Sequence, residues 1–426
     1  MTIEAPSDGL ASREAALHLL DATLARRGGL EEALSSGALS RLEPRDRAFA
    51  RALAMAALRH LGPIDRALDA RLQKEPPARV RHILRLGAAQ AFWLDVPDFA
   101  AVSTSVELAQ ADKGSRPFKG LVNAVLRRLI AEGPPPADPE ALAPAWLYAR
   151  WRAAYGDDAA AIAAKIAEEP ATDLTPRDPG EAEELATALD AEVLPGGSLR
   201  TRRRGDLTGW PGYPQGSWWV QDAAAAVPAR LLNVQPGETA LDLCAAPGGK
   251  TLQLAAAGAS VTAVDRSAAR LRRVKENLDR TTLTAEVIAA DAETWDDDRT
   301  FDAVLLDAPC TSTGTFRRNP DVLWAIRPPD IAKLAQVQAS LLDSAAKRVK
   351  PGGRLVYCVC SLEPEEGEAQ VPAFLKRHPD FRLEPVQPGE GGAPVASVTP
   401  DGLLRILPHH LPGGLDGFFA ARFVRL

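Results

Sequence analysis

From about residue 216 the sequence repeats one rhythm: a short apolar run, a turn, then a stretch of helical spacing. Ala240-Leu241-Asp242-Leu243 reads as a first strand and Ser260-Val261-Thr262-Ala263-Val264 as a second. Glu286-Val287-Ile288-Ala289-Ala290 reads as a third and Phe301 to Leu306 as a fourth. A helix is expected from about Asp330 to Val349, with Leu334, Val337, Leu341, Leu342 and Ala345 inward, ended by the turn Pro351-Gly352-Gly353. Arg354 to Val359 makes a fifth strand, a last helix follows near 367–377, and Leu403 to Leu407 and Phe418 to Val424 close the sheet. Strands joined through helices imply right-handed crossovers, so this half is expected to be α/β, a Rossmann-like and mostly parallel sheet covered on both faces. Ligands of such sheets sit at the carboxyl ends of the strands, where the strand order reverses.

A chain of 426 residues exceeds what one core supports, so further domains are expected. Residues 12 to about 132 read as helices throughout. Leu17, Leu20 and Leu24 form one stripe after a cap at Ser12; Val80, Ile83, Leu84, Gly87, Ala88 and Ala91 form another, and Leu121, Val122, Val125, Leu126 and Leu129 a third. Gly133-Pro134-Pro135-Pro136 breaks the pattern. The expected organisation is an all-α domain over 1–135, a linker and small α+β subdomain over 136–215, and a catalytic domain over 216–426. In the middle, helical stretches are expected near 140–168 and 180–190, and Arg200, Arg202, Arg203 and Arg204 fall in a strand or loop.

The composition, 46% hydrophobic and 25% charged, is that of an ordinary globular protein. No charged-then-apolar leader and no apolar run long enough for a bilayer occurs, and four cysteines without framework spacing fit a reducing compartment. A cytoplasmic protein with no membrane association is expected. The formal charge of −6 argues against indiscriminate nucleic-acid binding, but it is uneven. Residues 1–133 hold 19 Lys/Arg against 16 Asp/Glu, and the remainder 31 against 40. Screening acts over about 8 Å at physiological salt, so a local basic face can still hold RNA.

Asp242-Leu243-Cys244-Ala245-Ala246-Pro247-Gly248-Gly249-Lys250 makes a glycine-rich turn after the first strand. Gly248 and Gly249 let backbone approach a ligand, and the N–H groups of the following helix favour a carboxylate or phosphate. A P-loop would need a glycine where Cys244 stands, and the dinucleotide pattern is absent. Acidic residues mark successive strand ends. Asp265, 17 residues beyond Gly248, suits a ribose diol, Asp291 suits an adenine amino group, and Asp307 follows the fourth strand. Each alone is more often a helix cap or a solvated loop residue. Together with Asp242 they fit S-adenosylmethionine, which has a ribose, an adenine and a cationic centre but no phosphate.

Cys310, in Asp307-Ala308-Pro309-Cys310, and Cys360, in Tyr357-Cys358-Val359-Cys360-Ser361, lie near the ends of two neighbouring strands. Paired thiols beside such a turn fit methylation of a pyrimidine at carbon 5. That carbon becomes nucleophilic only after a thiolate adds to carbon 6, and a base must later remove its proton so that the thiol leaves. Only about 3% of a free thiol is ionised at pH 7, so the attacking sulfur needs an electropositive neighbour, for which Lys250 is a candidate. Asp307 is placed to hydrogen-bond the N3/N4 edge of the base. Which thiol attacks stays open on the residues alone. Cys244 and Cys358 read as buried small hydrophobes, and neither Cys358-x-Cys360 nor the six histidines suggests a metal site. Arg317 and Arg318 are candidates for flanking phosphates; Trp210, Tyr213, Trp218 and Trp219 either stack on bases or pack between subdomains.

These residues resemble the Sun/Fmu family of RNA (cytosine-5) methyltransferases over nearly the whole chain. Asp242 to Lys250, Asp307-Ala308-Pro309-Cys310, Arg317-Arg318-Asn319-Pro320-Asp321, Tyr357 to Ser361 with Glu363-Pro364-Glu365-Glu366, and Asp416-Gly417-Phe418-Phe419 occur in the family's order. The helical region, with Pro44-Arg45-Asp46-Arg47 and Val122-Asn123-Ala124-Val125-Leu126-Arg127, is similar to the NusB-like RNA-binding domain. The resemblance implies 16S ribosomal RNA as substrate and S-adenosylmethionine contacts from Cys244, Ala245, Ala246, Pro247, Gly248, Gly249 and Lys250, and from Asp265, Asp291 and Asp307. It implies Cys360 as nucleophile and Cys310 as the releasing residue; a monomer without a metal is expected. Three positions depart from the family: Ser312, where glycine or alanine is usual, Val359, where threonine is usual, and Asp173-Leu174-Thr175-Pro176, which lacks the usual strand sequence. The alternatives are the same chemistry on transfer RNA or DNA, and a non-catalytic RNA-binding assembly factor. Intact Cys310, Cys360 and Asp307 count against the last.

Overall fold

The computed structural model describes residues 9–24, 29–35, 37, 39–136 and 138–426; positions 1–8, 25–28, 36, 38 and 137, within the first two expected domains, lie outside the described residues. The chain forms two compact units, Met1–Glu169 with Phe316–Ile326, and Pro170–Thr315 with Arg327–Leu426.

The first unit is helical. Its core is built by Leu10–Leu24, Pro44–Arg59, Ala78–Trp93, Asp98–Ala111 and Lys119–Glu132, which bury Leu17, Leu20, Leu53, Ile83, Leu84, Leu108 and Leu126. At one crossing a Cβ on Gly87 would lie 2.5 Å from Leu126 Cδ1, so glycine permits the close approach of two helices. The break at 133–136 ends a helix but not the unit. Helices Pro139–Leu142, Ala145–Tyr155 and Asp158–Ala164 continue it, and the buried Arg59 guanidinium donates to the carbonyls of Ile166 and Glu168, each at 2.8 Å. A buried guanidinium must find acceptors; here it finds them beyond residue 135. The inserted segment Phe316–Ile326 supplies more. Arg59 donates to the Arg317 carbonyl at 2.8 Å, Phe316 packs on Trp151 at 5.7 Å, and Asp321 accepts the Leu30 N–H at 2.9 Å. Arg317 is therefore an interior residue, 2% exposed, rather than a surface phosphate contact, whereas Arg318 is exposed.

The second unit begins with a small antiparallel sheet. Its strands are β1 (Thr172–Pro176), β2 (Ala191–Val193), β3 (Leu199–Thr201) and β4 (Trp218–Val220), in the order β2-β3-β1-β4. Asp173 on β1 stands opposite Arg200 on β3 and accepts two hydrogen bonds of 2.7 Å from its guanidinium. Both are nearly buried, and the same carboxylate also accepts the Ala223 N–H at 3.1 Å. Arg202, Arg203 and Arg204 are a solvated face. Trp210, Trp218 and Trp219 are buried, with Trp210 and Tyr213 packed on Trp218, so these rings form cores rather than an open stacking platform.

The main sheet comprises β5 (Thr239–Leu243), β6 (Ser260–Asp265), β7 (Glu286–Ala289), β8 (Phe301–Asp307), β9 (Val349–Val359), β10 (Phe381–Leu383), β11 (Leu404–Ile406) and β12 (Phe418–Arg425). Its order is β10-β12-β9-β8-β5-β6-β7, with β11 also paired to β12. Strands β5 to β9 pair in parallel, and β12 runs antiparallel to β9. Progression from β5 to β7 builds one side, and β8 then starts the other, so the crevice beyond β5 and β8 is the switch point. The fifth strand starts at Val349, earlier than expected. Pro351-Gly352-Gly353 is not a turn before the strand but an irregularity within it, with Gly352 at φ +76° and a register shift against β8.

Two outcomes follow from this packing. Asp173→Ala leaves Arg200 buried without its carboxylate and is expected to destabilise the second unit by about 3–5 kcal/mol, read from the shift in urea midpoint. In the first unit His60, stacked on Trp93 at 3.9 Å, and His82, whose Nδ1 has no hydrogen-bond partner, are both pushed down to about 4, chiefly by burial. A histidine depressed in the fold resists protonation that the unfolded chain accepts, so stability is retained above about pH 6.5 and lost towards pH 4. His82→Leu is expected to gain on the wild type by about 2–3 kcal/mol across that interval, measured by urea unfolding at successive pH values.

Candidate active site

Two loops meet at the switch point, one after β5 and one after β8. In the first, Cys244 takes φ +62° and Gly248 φ +106°, reversing the chain into helix Gly249–Ala256. A Cβ on Gly248 would lie 3.1 Å from Val274 Cγ1, so bare backbone is needed there. Asp265, at the end of β6 and nearly buried, holds this loop by accepting the Ala246 N–H at 3.1 Å and the Ser267 N–H at 2.8 Å. Asp242, fully buried at the end of β5, accepts the Thr251 hydroxyl at 2.6 Å, and its other oxygen has no hydrogen-bond partner. Burial, with Asp307 and Asp265 nearby, pushes its carboxyl up to about 7. Asp291 lies beyond β7, exposed, and accepts the Glu293 N–H at 3.0 Å.

Lys250 turns inward from the helix and donates to Asp307 at 2.7 Å, with its ammonium 5.0 Å from the centre of the Phe418 ring. Burial opposes its charge most, but Asp307, Cys358 and Asp242 together outweigh burial and hold Lys250 above its ordinary value. Asp307 also accepts from the Cys358 thiol at 3.5 Å, and burial pushes that thiol well up. Burial likewise raises Cys244, with Asp265, Asp307 and Asp242 adding to the effect.

The structure brings Cys310 and Cys360 together, with their sulfurs 3.5 Å apart. The Ser312 hydroxyl lies 3.6 Å from Cys360 Sγ and 3.9 Å from Cys310 Sγ. Cys360 is drawn below the usual thiol range, first by the hydrogen bond from Cys310, against the opposing effects of burial and Asp307, with help from Ser312 and Lys250. Cys310 moves the other way, raised by that same hydrogen bond and by burial. Of the four cysteines, Cys360 alone is drawn downward, while Cys244, Cys310 and Cys358 are raised.

Sequence reasoning left Glu366 without a role. Fully buried, it accepts from the Thr311 N–H at 2.9 Å, the Thr311 hydroxyl, the Ser361 hydroxyl and the Gln338 amide at 3.0 Å. Thr311 follows Cys310 and Ser361 follows Cys360, so one carboxylate joins both cysteine loops. The legible signal was Gln338, a polar residue on the inward stripe of helix Pro328–Lys347 and fully buried. A second tie runs through glycines. Gly314 donates to the Cys360 carbonyl at 3.0 Å, and a Cβ on it would meet the Gly417 carbonyl oxygen at 2.0 Å. This explains the position of Asp416-Gly417-Phe418-Phe419, which also brings Phe418 under Lys250.

Comparison with known proteins agrees with this geometry. Residues 229–424 match the model of the 16S rRNA methyltransferase RsmB/F family, and residues 10–131 match the NusB family. The chain is 37% identical to the ribosomal RNA small subunit methyltransferase B of Xanthomonas campestris pv. campestris, covering 100% of this chain and 99% of that one. It is 35% identical to the protein of the same name from Cronobacter sakazakii, covering 90% and 92%. Among solved structures it is similar to PH0851, at 25% identity with a TM-score of 0.77 over 98% of this chain and 99% of that one. It is also similar to a methyltransferase homologue from Pyrococcus horikoshii, at 26% identity with a TM-score of 0.55 over 65% and 94%. A paired-thiol site at the switch point of a parallel sheet, behind a NusB-like helical region, places this chain in the RsmB/F family of 16S ribosomal RNA methyltransferases.

Proposed function

We propose that this protein transfers a methyl group from S-adenosylmethionine to carbon 5 of a cytosine in 16S ribosomal RNA, through an adduct between Cys360 and carbon 6. The observation that carries the reading is the 3.5 Å approach of the two sulfurs, with Cys360 lowered and Cys310 raised. Ribosomal RNA as substrate supports a cytoplasmic enzyme.

The loop after β5 fits the cofactor. Asp242, Asp265 and Asp307 lie close enough to raise Cys244 together, and Lys250 is the ammonium paired among them. A site with this surplus of negative charge suits a cation without phosphate. Cys244 through Lys250, Asp265 and Asp307 would hold it, with Asp291 at the far end of the crevice. Bound S-adenosylmethionine supplies a methyl group made electrophilic by its sulfonium sulfur.

The remaining work belongs to the protein. Cys360, as thiolate, adds to carbon 6 and makes carbon 5 enamine-like. Asp307, fixed by Lys250, is placed to hydrogen-bond the N3/N4 edge of the ring. When a base removes the carbon 5 proton, Cys360 departs, and Cys310, a protonated thiol 3.5 Å away, donates to the leaving sulfur. The target base must be unstacked, at a cost of a few kcal/mol that is smallest in loops and single strands.

Cys360→Ala is expected to lower turnover on the order of 10⁴-fold or more while cofactor binding, measured by calorimetry, is kept. Cys310→Ala should instead accumulate a protein–RNA adduct that survives denaturing gel electrophoresis; adduct with Cys360→Ala and none with Cys310→Ala would reverse the two roles. The brace gives a separate expectation. Glu366→Ala leaves buried donors on Thr311, Ser361 and Gln338 unpaired, each costing about 1–3 kcal/mol, so both the urea midpoint and the methylation rate should fall. Glu366→Gln, which keeps an acceptor oxygen, should fall less in both assays.

A further inference from the structure

Ser312 lies between the two sulfurs, and the mechanism above leaves its hydroxyl unused. Its backbone takes φ +57°, the left-handed region where a β-carbon is crowded and glycine is favoured. That conformation sets Oγ 3.6 Å from Cys360 Sγ, where it accepts from the thiol, and 3.9 Å from Cys310 Sγ, while its own O–H donates to the Cys310 carbonyl oxygen at 3.5 Å. Glycine would suit the φ of this position but would offer no hydroxyl. We propose that Ser312 is a positioning residue for the methyl transfer: once Cys360 is ionised, the serine hydroxyl turns from the Cys310 carbonyl to donate to the thiolate and aims that sulfur at carbon 6.

The groups facing Cys360 leave room for such a donor. The Cys310 thiol donates to it from the loop after β8, Asp307 at the end of β8 opposes a negative sulfur, and Lys250 on helix Gly249–Ala256 favours one. Glu366 acts on Cys310, raising it and so keeping it a donor. Lys250 is already engaged by Asp307 at 2.7 Å, so part of its charge is spent on that carboxylate. Ser312 then supplies a neutral donor that Asp307 does not compete for. Hydrogen bonds to a charged acceptor are stronger than neutral ones, and this one forms in a site partly removed from water.

The proposal rests on Cys360 being the attacking thiol, and the test reads that thiol directly. The full-length protein, without RNA, is alkylated with iodoacetamide across a pH series, and peptide mass spectrometry separates Cys360 from Cys310. With Ser312→Ala and with Ser312→Gly, the Cys360 profile should move to higher pH, and its alkylation near pH 7 should fall roughly three- to tenfold. The pH at half-maximal methylation should rise with it. Glycine suits the φ of this position, so if the residue acted only through backbone shape, Ser312→Gly would keep the wild-type profile. That result, or unmoved profiles in both variants, overturns the proposal. If Ser312→Ala folds poorly, Ser312→Gly decides alone. Shifted profiles together with an active Cys360→Ala enzyme would uphold the donor and overturn the assignment of Cys360 as nucleophile, so the two failures are distinct.

Discussion

Thr311 and Ser361 each follow a cysteine in the chain, and both donate to Glu366, a carboxylate with no exposure to solvent. A group so placed must be satisfied by fixed donors, because water cannot reach it. The donors come from the loop after β8, the loop after β9 and Gln338 on the covering helix. Moving either cysteine loop away would strip the carboxylate of partners, so its burial transmits a penalty to any change in sulfur spacing. Two cysteines 50 residues apart in sequence are thereby held at van der Waals contact without a covalent bond. The proposed thiol chemistry would require this proximity and would also require that the sulfurs stay free.

Electrostatics divides the site into two halves with different demands. Around the loop after β5, buried carboxylates dominate, raising Asp242 to about 7 and pushing Cys244 up as well. Such a field would suppress a thiolate, and it acts on Cys360 too through Asp307. Lys250 stands at the boundary. Paired to Asp307, it offsets a carboxylate that acts on Cys360 while remaining part of the loop after β5. Cys360 is drawn below the usual thiol range first by its hydrogen bond with Cys310, with Ser312 and Lys250 adding to it. One crevice can so accommodate a cationic methyl donor and an anionic nucleophile.

The strands of the main sheet and the nearness of the two thiols followed from the sequence because both obey local rules. Apolar runs mark the strands, and strand ends in a parallel sheet point to one edge, which put Cys310 and Cys360 together before any coordinates. What stayed hidden depended on pairing between distant residues. Arg200 and Arg202 look alike in sequence, yet Asp173 opposite Arg200 in register buries one and leaves the other in solvent. Arg317 and Arg318 divide in the same way, and no periodicity reports it. The bulge at Pro351-Gly352-Gly353 is spelled like a turn, and only its pairing with β8 shows that the strand continues through it. Glu366 sits in a recognisable run of acidic residues, a composition that usually signals a solvated face; its burial is a consequence of the donors that converge on it.

The path of the chain after Cys310 constrains how the protein is divided. Having formed the sulfur loop, it leaves the second unit at Thr315 and returns at Arg327, and the eleven residues between them are core material of the first unit. Phe316 packs on Trp151, Asp321 accepts the Leu30 N–H, and Trp324 packs against the helical core. Arg59, buried, spends donors on Arg317 as well as on Ile166 and Glu168. The helical unit is therefore completed by a segment whose ends are the ends of the catalytic loop. Removing residues 1–169 would expose Phe316 and Trp324 and leave Asp321 without that donor, a change felt only a few residues from Ser312.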